Sequence, residues 1–281
     1  MRIDLHTHST ASDGTQSPAV VVGCAVQAGL DALALTDHDT TSGWDEAAAA
    51  AAQHGIALVR GIEISCQHEG ISIHLLGYLQ NPTAPGLIEV LDRSRRSRET
   101  RAQRIVELLS EDVPLRWEDI LEQIEPGATI GRPHVADAMV AKGIVASRGE
   151  AFAEYLNDRS PYYVSHYAPD PVQAVRLVRE AGGVAVMAHP FASVRGRVVD
   201  DAVIEAMAAA GMTGLEVHHR DHRGDQVRHG LGLAASLDLF VTGSSDYHGD
   251  GKPNLLGENT TDPEVLQRIE DLATGVQVLR G

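Results

Sequence analysis

His6-Thr7-His8 places two imidazoles two residues apart at the end of a short apolar run containing Ile3 and Leu5. In an extended strand residues i and i+2 project from the same face. Both rings can therefore reach one point in space, as a shared metal ion requires. A single pair of this kind is common among solvated histidines, but the same chemistry recurs along the chain. Asp13, His38, Glu63, His74, His189, Asp246 and His248 complete a set of nine candidate metal ligands. Imidazole and carboxylate suit Zn, Mn and Fe, and the set contains no thiolate. A catalytic zinc site usually takes three protein ligands. Nine are enough for two or three ions, with a carboxylate such as Glu63 able to bridge two of them. Ions about 3.5–4 Å apart can hold a hydroxide between them and stabilise both the attacking and the leaving oxygen.

The elements that must position these residues are legible as alternating strands and helices. Strands are expected over Arg2–Leu5, Asp31–Thr36 and Ile56–Ser65, with a hairpin over Gln67–Leu79 turning at Glu69-Gly70. Ser17-Pro18 is a helix start, with serine as N-cap and proline at the first helical position, and Gly29 suits the C-terminal cap. A second, alanine-rich helix is expected over Thr41–Gln53. After Pro82 and Pro85 the pattern becomes helical and more charged, and the alternation resumes near Pro169. Later strands are expected to end at Ala188-His189, over Gly214–His218 and over Leu237–Thr242, with helices between them and a final helix over Pro263–Leu272 followed by an edge strand. Strand–helix alternation implies βαβ units and a parallel sheet or barrel. In such folds ligands collect at the carboxyl ends of the strands, where most of the nine candidates fall.

Composition narrows the function classes. Hydrophobic residues make up 43% of the 281, enough for a large core, in one domain with an insertion or in two. A formal net charge of −16 argues against a sequence-independent nucleic-acid binder and against a long-duplex partner. It leaves room for a small phosphorylated substrate held at a metal cluster. Cys24 and Cys66 are far apart, so neither a disulfide framework nor a zinc ribbon is indicated, and inert thiols are expected. No apolar run is long enough to span a membrane and no signal peptide is evident, so a cytoplasmic location is expected. No obligate protein partner is indicated.

Five motifs in one order, HTHSTASDG, LTDHDT, GIEIS, AHP and SSDYHG, resemble the PHP (polymerase and histidinol phosphatase) family of metal-dependent phosphoesterases. The resemblance implies a distorted (β/α)7 barrel over residues 1–84 and 166–281 and a small helical subdomain inserted over 85–165. It also implies phosphoester hydrolysis by a hydroxide bridging two or three divalent ions, with Mn favoured over Fe or Zn. By that pattern one ion takes His6, His8, Glu63 and Asp246; a second shares Glu63 and takes His74 and His189; a third takes Asp13, His38 and His248. The hydroxide is served by His6, His8, Glu63, His189 and Asp246. Asp13 stands where some relatives carry histidine, and this harder ligand leans the third site toward Mn or Fe.

Within the insertion, Gly131-Arg132-Pro133-His134 resembles the corresponding segment of the stand-alone PHP phosphoesterases. That subgroup includes 3',5'-nucleotide bisphosphate phosphatases and the 5'-to-3' exoribonuclease ribonuclease AM. Arg132 and His134 are then expected to hold a non-reacting phosphate or sugar, the arginine fork matching two phosphate oxygens. Arg98 falls along the buried stripe of its helix and joins them as a candidate contact at the barrel mouth; its neighbours in the run Arg93–Arg104 read as a solvated face. The expected reaction is removal of one phosphate from a 3',5'-bisphosphate nucleotide. The alternatives are exonuclease action on short RNA and a non-catalytic metal-binding module. The last would be expected to have lost ligands that this chain keeps.

Overall fold

The computed structural model describes residues 1–281. Seven strands follow one another around a single sheet in chain order: β1 Ile3–Thr7, β2 Ala32–Leu35, β3 Ala57–His68, β4 Ile71–Tyr78, β5 Val184–Met187, β6 Gly214–His218 and β7 Phe240–Gly243. A parallel bridge from Thr7 to Tyr247, just past β7, nearly closes it into a barrel. Six strands share one direction. β4 runs antiparallel to both β3 and β5, the distortion of the barrel. Because β4 is reversed, its rim residues lie in its first half, and His74 pairs across the ladder with Ser65.

Alternation sorts each strand between two layers. Val59, Leu76, Val186 and Ala34 belong to the apolar cluster of the barrel interior. Ile62 and Ile64 face outward into a cluster with Val175 and Val178 of α7 (Pro171–Glu180). Glu63, of the same parity as Val59, therefore faces inward. The first strand is not regular. Pairing runs Ile3 to Ala32 and Asp4 to Leu33, then Thr7 to Leu35, so β1 carries one extra residue. Such a bulge switches which face the following side chains take. Here Ile3 and Leu5 join the interior cluster and His6 and His8 still turn inward toward Glu63. A second register shift lies between Glu216 and His218 of β6.

The helices α1 (Pro18–Gln27) and α2 (Trp44–His54) cover β2 and the start of β3. Ser17 accepts a hydrogen bond from Val20 N–H, as an N-cap should, and Gly55 closes α2 at φ 70°. The expected strand after the last helix is reduced to one bridge, Leu58 to Leu279. No helix is long and apolar enough to cross a membrane.

Between β4 and α7 lie α3 (Pro85–Leu109), α4 (Trp117–Leu121), α5 (Arg132–Ala141) and α6 (Arg148–Glu154). They share their own apolar cluster, including Ile105, Leu109, Val135 and Met139. The buried stripe of α3 is divided: Leu87 and Leu91 pack into the barrel's outer cluster, whereas Ala102, Ile105 and Leu109 pack into the helical one. The long helix α3 is thus the beam that joins the two cores.

Candidate metal centre

All nine candidate ligands converge at the barrel rim. Glu63 is at the centre, 1% exposed. Its Oε2 lies 3.2 Å from His6 Nε2, 3.0 Å from His8 Nε2 and 3.2 Å from His38 Nδ1. Its Oε1 lies 2.8 Å from His74 Nδ1 and 3.3 Å from His189 Nε2. Asp246 Oδ1 stands 3.5 Å from both His6 and His8 Nε2. Asp13 Oδ1 lies 3.2 Å from His248 Nε2, and Asp13 Oδ2 3.8 Å from His38 Nε2.

These separations suit atoms that share a metal ion. With metal–ligand bonds near 2.0–2.2 Å, neighbouring ligand atoms fall roughly 2.9–3.6 Å apart. Glu63 Oε2, His38 Nδ1, His74 Nδ1 and His248 Nε2 are buried without a hydrogen-bond partner. Buried polar atoms are rarely left so, and cations at the ligand groups they belong to would satisfy them. The donors therefore fit divalent ions. Three overlapping groups emerge: His6, His8, Glu63 and Asp246; His38, Glu63 and His74; and His8, Asp13, His38 and His248. The first brings together the four residues that the sequence grouped at one ion. In the others His38 lies between Asp13 and Glu63, and His189 meets Glu63 from its own side.

The rings are oriented from behind. His6 Nδ1 faces Glu216 Oε1 at 3.0 Å, and His248 Nδ1 faces the backbone oxygen of Asp246 at 2.9 Å. Donation of each Nδ1–H leaves Nε2 bare and aimed at the centre, as metal-ligating histidines require. The other oxygen of Glu216 accepts the His189 N–H at 2.9 Å, so one carboxylate fixes two ligands. Asp37 ties down the histidine loop by accepting from Ser9 N–H, Ser9 O–H and Ser12 O–H at 2.6–2.8 Å. Asp39 accepts from Ser65 N–H and from Arg98 Nε–H. Three of the six non-glycine residues with left-handed backbone, Asp39, His189 and Asp246, stand at this rim. Such strain persists where surroundings enforce it.

Electrostatics keeps the carboxylates ionised. Burial would raise Glu63, yet His74, His38 and His6 hold it well below its usual range. Asp13 behaves likewise through His248 and His38. Asp246 is held down against burial by Lys252, Arg195 and His248. Arg195 Nη2 and Lys252 Nζ bond its Oδ2 at 2.6 and 3.0 Å, leaving Oδ1 for the centre. Glu216 falls to about 2 despite burial, because His6 lies against it.

The candidate substrate contacts are placed differently from one another. Arg98 reaches the rim, its Nε 2.7 Å from Asp39 and its Nη2 against Ser65 Oγ. Arg132 binds the Leu156 carbonyl and Asp158 at 2.8 Å, within the insertion. His134 is buried, accepts the Gly131 N–H through Nδ1 and lies near Asp13. Arg101 is buried at the same seam as Arg98 and Arg132. Beside them His166 is driven down to about 3 by burial and then by Arg101, Arg98, Arg132 and His74. Three arginines thus gather near His74, with Arg98 paired to Asp39 and Arg132 to Asp158.

Glu216, Arg195, Lys252 and His166 were not found by sequence reasoning. Only Glu216 carried a readable signal, as a lone acid in the apolar strand GLEVH. Glu216→Gln is expected to weaken Mn binding about tenfold, since partners behind a ligand typically contribute 10- to 100-fold. Calorimetric titration checks this; wild-type affinity would show that the contact to His6 is incidental.

A PHP domain family model matches residues 4–124. The 3',5'-nucleoside bisphosphate phosphatase of Chromobacterium violaceum is 36% identical over 258 residues, covering 89% of this chain and 88% of the relative. The 5'-3' exoribonuclease of Haemophilus influenzae is 34% identical, covering 88% and 90%. A crystal structure from Bifidobacterium adolescentis, assigned to the metal-dependent phosphoesterases, superposes with TM-score 0.95 and 41% identity over 97% of this chain and 96% of that one.

Proposed function

The chain belongs to the PHP-domain family and is a metal-dependent phosphoesterase, and from that premise we propose that it removes one phosphate from a 3',5'-bisphosphate nucleotide. The observation that carries this reading is the pairing of two anion positions on one rim. The first is the cluster of His6, His8, Asp13, His38, Glu63, His74, His189, Asp246 and His248, read as the ligands of two or three divalent ions. The second is the cluster of Arg98, Arg101 and Arg132 beside His74, with His166 held neutral among them. One position takes the reacting phosphate and the other the phosphate that stays. His134 bounds the space on the Asp13 side. The residues 85–165 then form a subdomain that covers the substrate.

Divalent ions at the cluster, with Mn favoured by the hard oxygen donor Asp13, would supply Lewis acidity and lower the pKa of water. The chain's own residues do the positioning. Glu216 and the Asp246 backbone oxygen fix the His6 and His248 rings. Arg195 and Lys252 hold Asp246 Oδ2 and so orient Oδ1 toward the cluster. Arg98 and Arg132 hold the remote phosphate, so that its binding energy serves orientation at the reacting one. The Arg132–Asp158 pair is partly exposed and therefore weak enough to yield to a phosphate.

Exonuclease action on short RNA is the second reading. The exoribonuclease named above supports it, as do Arg93 stacked 3.7 Å over Tyr167 and Arg101 over Tyr163, arginine–aromatic surfaces of the kind on which bases stack. Measuring kcat/KM for a 3',5'-bisphosphate mononucleotide against a short 5'-phosphorylated oligoribonucleotide separates the two. The mononucleotide is expected to be the better substrate, and the reverse order would replace the first reading with the second.

A further inference from the structure

Arg148 is the one insertion side chain that grips the backbone of a candidate ligand, Asp13. Its Nε and Nη2 form a two-pronged pair with Asp137 of α5 at 2.5 and 2.6 Å, and its Nη1 donates to the Asp13 carbonyl at 3.1 Å. Its side chain is 15% exposed. The guanidinium also lies close to Gly251, in the loop that follows Asp246 and His248. A Cβ on Gly251 would fall 2.2 Å from Nη1, so a side chain there would displace the guanidinium. That loop and the Asp13 loop are already joined, since Thr15 N–H donates to the His248 carbonyl at 3.1 Å and Thr15 Oγ accepts from Asp250 N–H at 2.9 Å. A backbone bond from Thr129 N–H to the Ala11 carbonyl seats the insertion on the same loop.

We propose that Arg148 is a positioning residue for the ion held by Asp13, His38 and His248, coupling occupancy of that site to the seating of the insertion over the rim. This rests on the ligand reading above. The guanidinium has three hydrogen-bonding edges and uses them on two parts of the chain far apart in sequence. A planar fork does this in one rigid geometry, which the point-like ammonium of lysine reproduces only in part. Asp13 is a short side chain, so its carboxylate goes where its backbone goes. Holding the Asp13 carbonyl keeps Oδ1 within 3.2 Å of His248 Nε2. Arg148 also lines two open clefts of about 660 and 520 Å³ on either side of the Asp137 pair. Truncating it therefore enlarges solvent-filled space and does not hollow the packed helical core.

Metal-stripped wild type, Arg148→Ala, Arg148→Lys and Asp13→Ala are titrated with Mn by calorimetry, with thermal unfolding of the stripped proteins as the fold control. Arg148→Ala is expected to weaken one ion about tenfold or more and to leave the others unchanged. It should lower kcat with little change in KM, while the stripped protein melts as wild type does. Arg148→Lys should fall between the two. If Asp13→Ala loses an ion and Arg148→Ala does not, the coupling is wrong and the ligand reading stands. If Asp13→Ala also binds as wild type, the ligand reading itself fails. Loss of every ion together with a lowered melting temperature in Arg148→Ala would make the residue merely structural and overturn the proposal.

Discussion

Asp246→Ala is expected to lower phosphate release on the order of 10³-fold or more and to reduce bound metal. The reason lies in the two faces of one carboxylate. Oδ1 stands 3.5 Å from the Nε2 atoms of His6 and His8, while Oδ2 is held by Arg195 and Lys252. Truncation removes a ligand oxygen and also leaves the positive charge of Lys252 and Arg195 uncompensated by Asp246, although Arg195 keeps Asp221, and this disfavours a divalent ion nearby. Asp246→Asn keeps the shape and the donors' partner but removes the charge, and should show the same loss of metal with less effect on folding. Elemental analysis alongside a phosphate-release assay checks both variants. Metal content equal to wild type in both would end the assignment of Asp246 as a ligand.

Arg98→Ala is expected to lower kcat/KM on a 3',5'-bisphosphate nucleotide about 100-fold while changing hydrolysis of a simple aryl phosphate far less. Charge-assisted hydrogen bonds contribute about 1.5–3 kcal/mol each, or roughly 10- to 150-fold. An aryl phosphate has no second phosphate to benefit from them. Arg98 also bonds Asp39 and Ser65 at the base of the centre, so the aryl phosphate serves as the internal measure of structural damage. Equal losses on both substrates would show that Arg98 supports Asp39 and does not bind substrate. Arg132→Ala, compared in the same way, tests the outer half of the seam, where the guanidinium is committed to Asp158 and the Leu156 carbonyl.

The strand–helix alternation was readable because small apolar residues in runs of four or five, bounded by glycine and proline, leave few other folds. The hairpin turn at Glu69-Gly70 was readable for the same reason. The convergence of the candidate donors was readable because the chemistry restricts residue type so strongly: six histidines and three carboxylates fall at or just beyond the rim ends of strands. The inserted helices were readable as helices, but their relation to the barrel was not. The stripe on α3 has one period throughout, and nothing in that period says that Leu87 and Leu91 pack on α7 while Ile105 and Leu109 pack on α5.

By itself, then, the sequence determined the kind of site and the fold that carries it. Periodicity and residue type are local properties, and they are enough to place donors at strand ends. Tertiary structure alone decided how the donors are held. The extra residue in β1 turns His6 and His8 inward, Glu216 arrives from 210 residues away to fix the His6 ring, and Arg195 and Lys252 share one oxygen of Asp246. Each depends on register or on contacts between distant segments, and no local pattern encodes these. The closing of the barrel sets those distances, and with them which nitrogen of each histidine is left free for a metal.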